Sequence, residues 1–363
     1  MTLPIVAHII QHMAPGGIEA MVLDLQSKAS VPENVYIISL EGTFDEASQN
    51  WSRVRNTPRL LFLNKQSGLS YQTIKQLTKL LKQLNVSVVH THHVGPLLYG
   101  GLAAKLARCK HTHTEHDAWH LIDNKRRVLV AACFYLLRPR VAVDAEVVAR
   151  NIRNRIPFRK LSVIINGVDA DRFSPGNQTL AREQLNIPEG VIIIGCAARF
   201  TAVKSHKDLI DAMLYLPEHV HLALAGGGVL EDELRNQVTE STISDRVHFV
   251  GVVDNMPKFY HAIDLFCMVS QREGLPLSPL EAQASGRAAL LTDVGGCREA
   301  VDPNSGLLVP YGNKDLLQKA LLSLLKTGLT PKARESARNF VLENANLGRM
   351  VRQYEQLYQG EVL

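Results

Sequence analysis

Short apolar runs at 5–10, 35–40, 60–63, 86–90, 111–115 and 141–143 predict strands. Between them apolar residues recur every three to four positions, the spacing of a helix with one buried face. The clearest case is Ile74, Leu77, Leu80, Leu81 and Leu84, with Lys75, Lys79 and Lys82 on the opposite side. The first strand runs into Ala14-Pro15-Gly16-Gly17 and then a helix over 18–25. Strand, glycine turn, helix is how a nucleotide-binding half begins. The rhythm breaks over 169–190, where Pro175-Gly176-Asn177 and Pro188-Glu189-Gly190 supply turn chemistry. It restarts with strands at 191–197, 220–225, 247–250 and 265–269 and helices at 208–216 and 231–238. The fold class expected is therefore α/β, with two Rossmann-like, doubly wound parallel-sheet domains. The first covers 1–168 and the second 169–345, and a C-terminal helix within 346–363 packs back on the first.

Length agrees with this division, because 363 residues exceed what one hydrophobic core usually organises. Charge is unevenly split: residues 1–160 carry 21 Lys/Arg against 11 Asp/Glu, and the remainder 19 against 24. The first half thus suits an anionic partner or surface. Five widely spaced cysteines, mostly inside apolar runs such as Ile194-Gly195-Cys196, read as reduced thiols of a cytoplasmic protein. Met1-Thr2-Leu3-Pro4 leads straight into a strand without the features of a secretion signal. The longest apolar run, 128–137, is about half of the roughly 20 residues a spanning helix needs. It is bracketed by Lys125-Arg126-Arg127 and by Arg138 and Arg140, a pattern compatible with peripheral contact on an anionic membrane or with a buried helix whose ends are solvated.

The chemistry concentrates in Glu273-Gly274-Leu275-Pro276-Leu277-Ser278-Pro279-Leu280-Glu281. One glutamate lies on a loop after a strand and the other inside the following helix. Between them, backbone N–H groups at a helix start favour a phosphate, and the carboxylates can accept hydrogen bonds from sugar or ribose hydroxyls. Arg199 and Lys204 follow the first strand of the second half, where open sheets bind ligands, and together can clamp a diphosphate. Ala225-Gly226-Gly227-Gly228 reads as a flexible turn after a strand, where a sheet presents loops to a ligand, with Gly227 a candidate donor-binding residue. Gly251 to Met256, including Asn255, and Val294-Gly295-Gly296 also fall at strand ends.

These landmarks resemble the family 4 glycosyltransferases of GT-B fold, over almost the whole chain. The matching positions are Gly16-Gly17, His116, Asn166-Gly167-Val168-Asp169, Arg199 with Lys204, Glu273 with Glu281, Val294-Gly295-Gly296 and Gly306-Leu307-Leu308-Val309-Pro310. The resemblance implies two domains facing across a cleft and retaining transfer of a sugar from a UDP- or GDP-sugar to a glycan or lipid-linked acceptor, in polysaccharide or lipopolysaccharide biosynthesis. It implies that Arg199 and Lys204 hold the diphosphate, Glu281 the ribose and Glu273 the donor sugar. Gly274, Leu275, Pro276 and Leu277 would add backbone N–H groups, and the loop at Asn255 and Met256 would bind the base. His116 would sit beside the sugar, and Gly16 and Gly17 would let the first domain's backbone approach the diphosphate. Two positions depart from the family pattern: Ser205 stands where glycine is usual, and Arg287 where proline is common.

With cations and a helix start stabilising the leaving diphosphate, no metal and no other cofactor is expected. The histidines His90, His92, His93, His111, His113, His116 and His120 offer zinc as an alternative, but no acidic residue joins them at a fixed metal spacing. Pro15-Gly16-Gly17 is not the Gly-x-Gly-x-x-Gly that a dehydrogenase wants. A nucleotide-sugar epimerase of similar fold is the other enzyme reading. Nucleic acid is not an expected partner.

Overall fold

The computed structural model describes residues 3–157 and 160–361, so Met1 and Thr2 of the N-terminal segment lie outside the described residues. The chain divides into two compact units, residues 1–167 with 347–363, and residues 168–346.

The first unit is built on a seven-stranded sheet in the order β3-β2-β1-β4-β5-β6-β7. Its strands are β1 (Val6–Ile10), β2 (Val35–Ser39), β3 (Leu60–Phe62), β4 (Val88–His92), β5 (Lys110–Glu115), β6 (Arg140–Val143) and β7 (Leu161–Val163). The second is built on a six-stranded sheet in the order β10-β9-β8-β11-β12-β13. These are β8 (Ile192–Ala197), β9 (Val220–Ala225), β10 (Val247–Gly251), β11 (Leu265–Met268), β12 (Ala289–Thr292) and β13 (Leu307–Val309). Every pairing is parallel. In both sheets the winding direction reverses beside the first strand, between β1 and β4 and again between β8 and β11. Such a switch point opens a crevice at the C-terminal strand ends, where α/β proteins bind ligands.

Local causes are visible along the chain. In the helix Tyr71–Gln83 the Ser70 side chain accepts from the Thr73 N–H, Leu77 and Leu81 are buried, and Lys75, Lys79 and Lys82 point to water. Its end explains a shift in the next strand. Asn85 takes a left-handed φ of 53° and the Val86 N–H closes on the Leu81 carbonyl at 2.9 Å, so β4 starts at Val88 and extends to His92. The strand pattern predicts 86–90; the helix cap uses Val86 instead.

The apolar run 128–137 lies in the helix Asn124–Leu137 and is two-faced. Val130, Cys133 and Phe134 are buried, whereas Val128 (66 % exposed), Leu129, Tyr135 and Leu136 (69 % exposed) face water. Arg140 is not a flanking surface cation, because its guanidinium donates to the Leu357 carbonyl at 2.8 Å. Among the described residues, no helix is long and apolar enough to cross a membrane.

Leu357 belongs to the helix Leu347–Gln359, whose Met350, Val351, Tyr354 and Tyr358 are also buried. That helix completes the first unit although the whole second unit precedes it in the chain.

Candidate active site

In the second unit the predicted residues gather around the switch point. Arg199 and Lys204 follow β8, and Glu273 to Leu277 follow the adjacent β11. The Lys204 Nζ lies 2.6 Å from the Glu273 Oε1, an ion pair with the carboxylate almost buried and the lysine partly open. Arg199 is exposed. Further bonds tie the two loops: the Gln271 N–H donates to the Val203 carbonyl at 2.8 Å, and the Gln271 side-chain Nε2 to the Ala202 carbonyl at 3.1 Å. The helix Leu277–Ala284 starts at Pro276 with no side-chain cap, so its first amides lack partners within the helix. Pro276 itself has no N–H, which corrects the expectation of donors along all of 274–277: Gly274, Leu275 and Leu277 carry them, and Pro276 supplies shape.

Glycines fix these loops. Gly295 takes a φ of 52°, and a Cβ there would lie 1.7 Å from the Glu273 carbonyl oxygen. The Gly296 N–H donates to the Gly274 carbonyl at 2.8 Å. The turn at 226–228 is likewise held in place rather than flexible. The Phe200 N–H donates to the Gly227 carbonyl at 2.9 Å, and the Gly226 N–H to the Gly251 carbonyl at 2.8 Å. Asn255, exposed, precedes the helix Met256–Ala262 beside this turn's strand neighbour β10.

Both departures from the family pattern have a physical reading. Ser205 holds a φ of 47° and ψ of 40°, the left-handed conformation that glycine adopts at little cost. Arg287 is buried, its Nε donating to the Tyr260 carbonyl at 2.9 Å and its Nη2 to the His261 carbonyl at 3.0 Å. It thereby satisfies carbonyls at the end of the helix Met256–Ala262. Burial lowers its pKa to about 10, which leaves it charged at neutral pH.

In the first unit Gly16 begins the helix Gly17–Ser27 after β1, with the Glu19 carboxylate close to where a Cβ would stand. His116 follows β5 and is the middle of a buried row. The Asp144 Oδ2 accepts from the Asn166 amide at 3.2 Å and lies 3.3 Å from the His116 Nδ1. His116 Nε2 is 3.1 Å from His92 Nδ1, and His92 Nε2 is 3.1 Å from His8 Nδ1. Burial raises the Asp144 pKa, and in its ionised form this carboxylate only accepts, so the His116 Nδ1 donates to it. Burial keeps His92 well below the ordinary histidine range and lowers His8 to about 3, so both are neutral acceptors and donors in this row.

The same geometry bears on metal binding. Among the described residues, His8, His90 and His92 form a group whose nitrogens lie within 4.8 Å of one another. His8 and His92 meet edge to edge, with planes 14° apart and centroids 5.4 Å apart, so their facing nitrogens aim along one line. That alignment is the geometry of a hydrogen bond. His90 has Nδ1 on the Tyr358 hydroxyl at 2.8 Å and Nε2 on the Thr114 hydroxyl at 2.7 Å.

Acids do reach the histidines, although sequence spacing hid them: Asp144 arrives just past β6, and Glu115 closes β5 within 3.1 Å of His113. His120 pairs with Asp117 at 3.3 Å and lies 3.5 Å from Glu115. Burial opposes its charge, but the two acids prevail and raise its pKa to about 10.

Two doubly wound parallel units of this strand order form the GT-B glycosyltransferase architecture. The chain belongs to the glycosyltransferases of family 4: residues 5–172 match the family model described as Glycosyltransferase Family 4, and residues 177–341 the one described as Glycosyl transferases group 1. Among similar proteins, the O-antigen biosynthesis glycosyltransferase WbnH of Escherichia coli is 27 % identical over 320 residues, covering 86 % of this chain and 87 % of WbnH. The UDP-Gal:alpha-D-GlcNAc-diphosphoundecaprenol alpha-1,3-galactosyltransferase of Escherichia coli is 24 % identical over 306 residues, 79 % of each chain. In fold, the crystal structure of Anabaena HepE in complex with UDP superimposes with a TM-score of 0.84 at 19 % identity, covering 98 % of this chain and 100 % of HepE.

Proposed function

We propose that this glycosyltransferase moves a sugar from a nucleoside-diphosphate donor, with retention of configuration and without a metal, to a glycan or lipid-linked acceptor during polysaccharide or lipopolysaccharide assembly. The observation that carries the reading is the second unit's switch point, where Arg199 and Lys204 follow β8, an uncapped helix start follows the adjacent β11, Lys204 pairs with Glu273, and Glu281 lies inside the helix. Cations and amides suit a diphosphate, and the carboxylates suit hydroxyls at its two ends. The UDP held by HepE and the diphosphoundecaprenol named for the galactosyltransferase support donor and acceptor of these kinds.

When the bond from the anomeric carbon to phosphate breaks, its electron pair stays on the diphosphate. Arg199, Lys204 and the helix start offset the new charge, and a leaving phosphate oxygen takes the acceptor hydroxyl's proton. The donor is a UDP- or GDP-sugar. In this reading the first unit carries the acceptor, with His116 serving the sugar. The direct test supplies a panel of UDP- and GDP-sugars with a lipid-linked acceptor in excess chelator and reads the product's anomeric configuration. Transfer with retention is expected. Activity lost on chelation and restored by zinc or magnesium would overturn the metal-free mechanism, and an altered sugar nucleotide released without acceptor would indicate an epimerase.

The two-faced helix Asn124–Leu137 supports a peripheral seat on an anionic membrane. Val128, Leu129, Ala132, Tyr135 and Leu136 fall at helical spacing along one side, with Lys125 and Arg126 exposed before them and Arg138 after. Apolar side chains can enter the headgroup layer while each basic neighbour adds on the order of 1 kcal/mol on an anionic surface. The protein is expected to sediment with anionic liposomes at low salt and far less at 1 M salt, where the Debye length falls to about 3 Å. Protein that stays in the supernatant at low salt would rule this seat out.

A further inference from the structure

We infer that Tyr260 is a positioning residue for Glu281, orienting the carboxylate that receives the nucleotide's ribose; the inference rests on the reading of Glu281 given above. Tyr260 lies in the helix Met256–Ala262, directly after the loop holding Asn255. Its ring is fully buried, edge-on to Phe173 at 5.8 Å and tilted against Phe266 at 6.2 Å. Only its hydroxyl has a polar task, which is to donate to the Glu281 Oε2 at 2.6 Å. Burial, with the nearby Glu281 charge, pushes this phenol well above its ordinary pKa, so it stays a donor at any working pH.

A carboxylate four residues into a helix can otherwise choose among several rotamers. A short bond from a ring that cannot move selects one of them, so less ordering is left for the nucleotide to impose on binding. The backbone that carries the ring is anchored in turn, since the buried Arg287 donates to the Tyr260 and His261 carbonyls. Arg287 and Tyr260, both buried, and the half-buried Glu281 thus form one series. It couples the carboxylate to the helix that starts beside Asn255 and Met256, so the two proposed nucleoside contacts share a rigid support.

The experiment titrates UDP and GDP against the wild type, Tyr260→Phe, Glu281→Gln and the double variant, with thermal melting to confirm that each is folded. Phenylalanine keeps the packing and removes only the hydroxyl. Affinity for the preferred nucleotide should fall roughly tenfold in Tyr260→Phe. The double variant should bind no more weakly than Glu281→Gln alone, because Tyr260 acts through Glu281. Donor KM should rise while kcat stays within about twofold. Additive losses, or full affinity in Tyr260→Phe beside a weakened Glu281→Gln, would overturn the inference while sparing the role of Glu281. Unchanged affinity in Glu281→Gln would overturn both.

Discussion

Lys204→Ala is expected to lower turnover at saturating donor by roughly 100-fold or more, about 3 kcal/mol of barrier, and Arg199→Ala by a similar factor. Both cations act on charge that grows as the diphosphate leaves, so the loss should appear in kcat and not only in KM. The structure adds a control. Lys204 is ion-paired with the nearly buried Glu273, so Lys204→Ala alone strands a carboxylate and costs stability as well. Combining it with Glu273→Gln should recover the melting temperature but not the turnover. Near wild-type kcat in the single lysine or arginine variant would remove these residues from the diphosphate site.

The second large effect is expected at Gly295, which lies outside every proposed ligand contact. A Cβ there would meet the Glu273 carbonyl oxygen at 1.7 Å, and the residue also holds a φ of 52°. Nothing flexible can give way, because both partners are backbone. Gly295→Ala should therefore destabilise the second unit by about 2 to 4 kcal/mol and shift the loop that carries Glu273. A displacement near 1 Å at a positioned group costs on the order of 100-fold in rate. Gly312→Ala is the matched comparison, with a φ of 79° and nothing within 4 Å of the added carbon. It should cost about 1 kcal/mol and leave turnover intact. Equal melting temperatures for the two variants would show that the close approach at Gly295 does not constrain the loop.

The repeating strands and helices were legible because parallel sheets bury both faces and so leave unbroken apolar runs, as at 265–268. The edge strand β7 was not, since Ser162 interrupts its three residues, whereas the equally short β3 showed because Leu60-Leu61-Phe62 is wholly apolar. At the candidate site, Lys204, Glu273 and Glu281 stood out as charges placed at strand ends and a helix start. Tyr260 did not, because a tyrosine inside Phe259-Tyr260-His261-Ala262 reads as core and its hydroxyl finds Glu281 only through tertiary packing. Asp144 was hidden for the same reason: 28 residues of chain separate it from His116. The glycines at 226–228 gave a third kind of difficulty. Sequence marks them as permissive, and only the opposing backbone of Ala198 at Gly226 and of Phe200 at Gly228 shows that these two are there for close approach.

The helix Leu347–Gln359 also sets an order of events during synthesis. Its Tyr354 and Tyr358 supply hydroxyls to Thr114 and His90 inside the first unit. Residues 168–346 form one continuous stretch that can close on itself as it leaves the ribosome. The half translated first must wait, its buried histidines lacking their tyrosines, until residues 347–359 have emerged. The N-terminal unit is therefore the last to be finished, and a nascent chain stalled between the two would display a first unit that lacks its last helix and a second unit already complete.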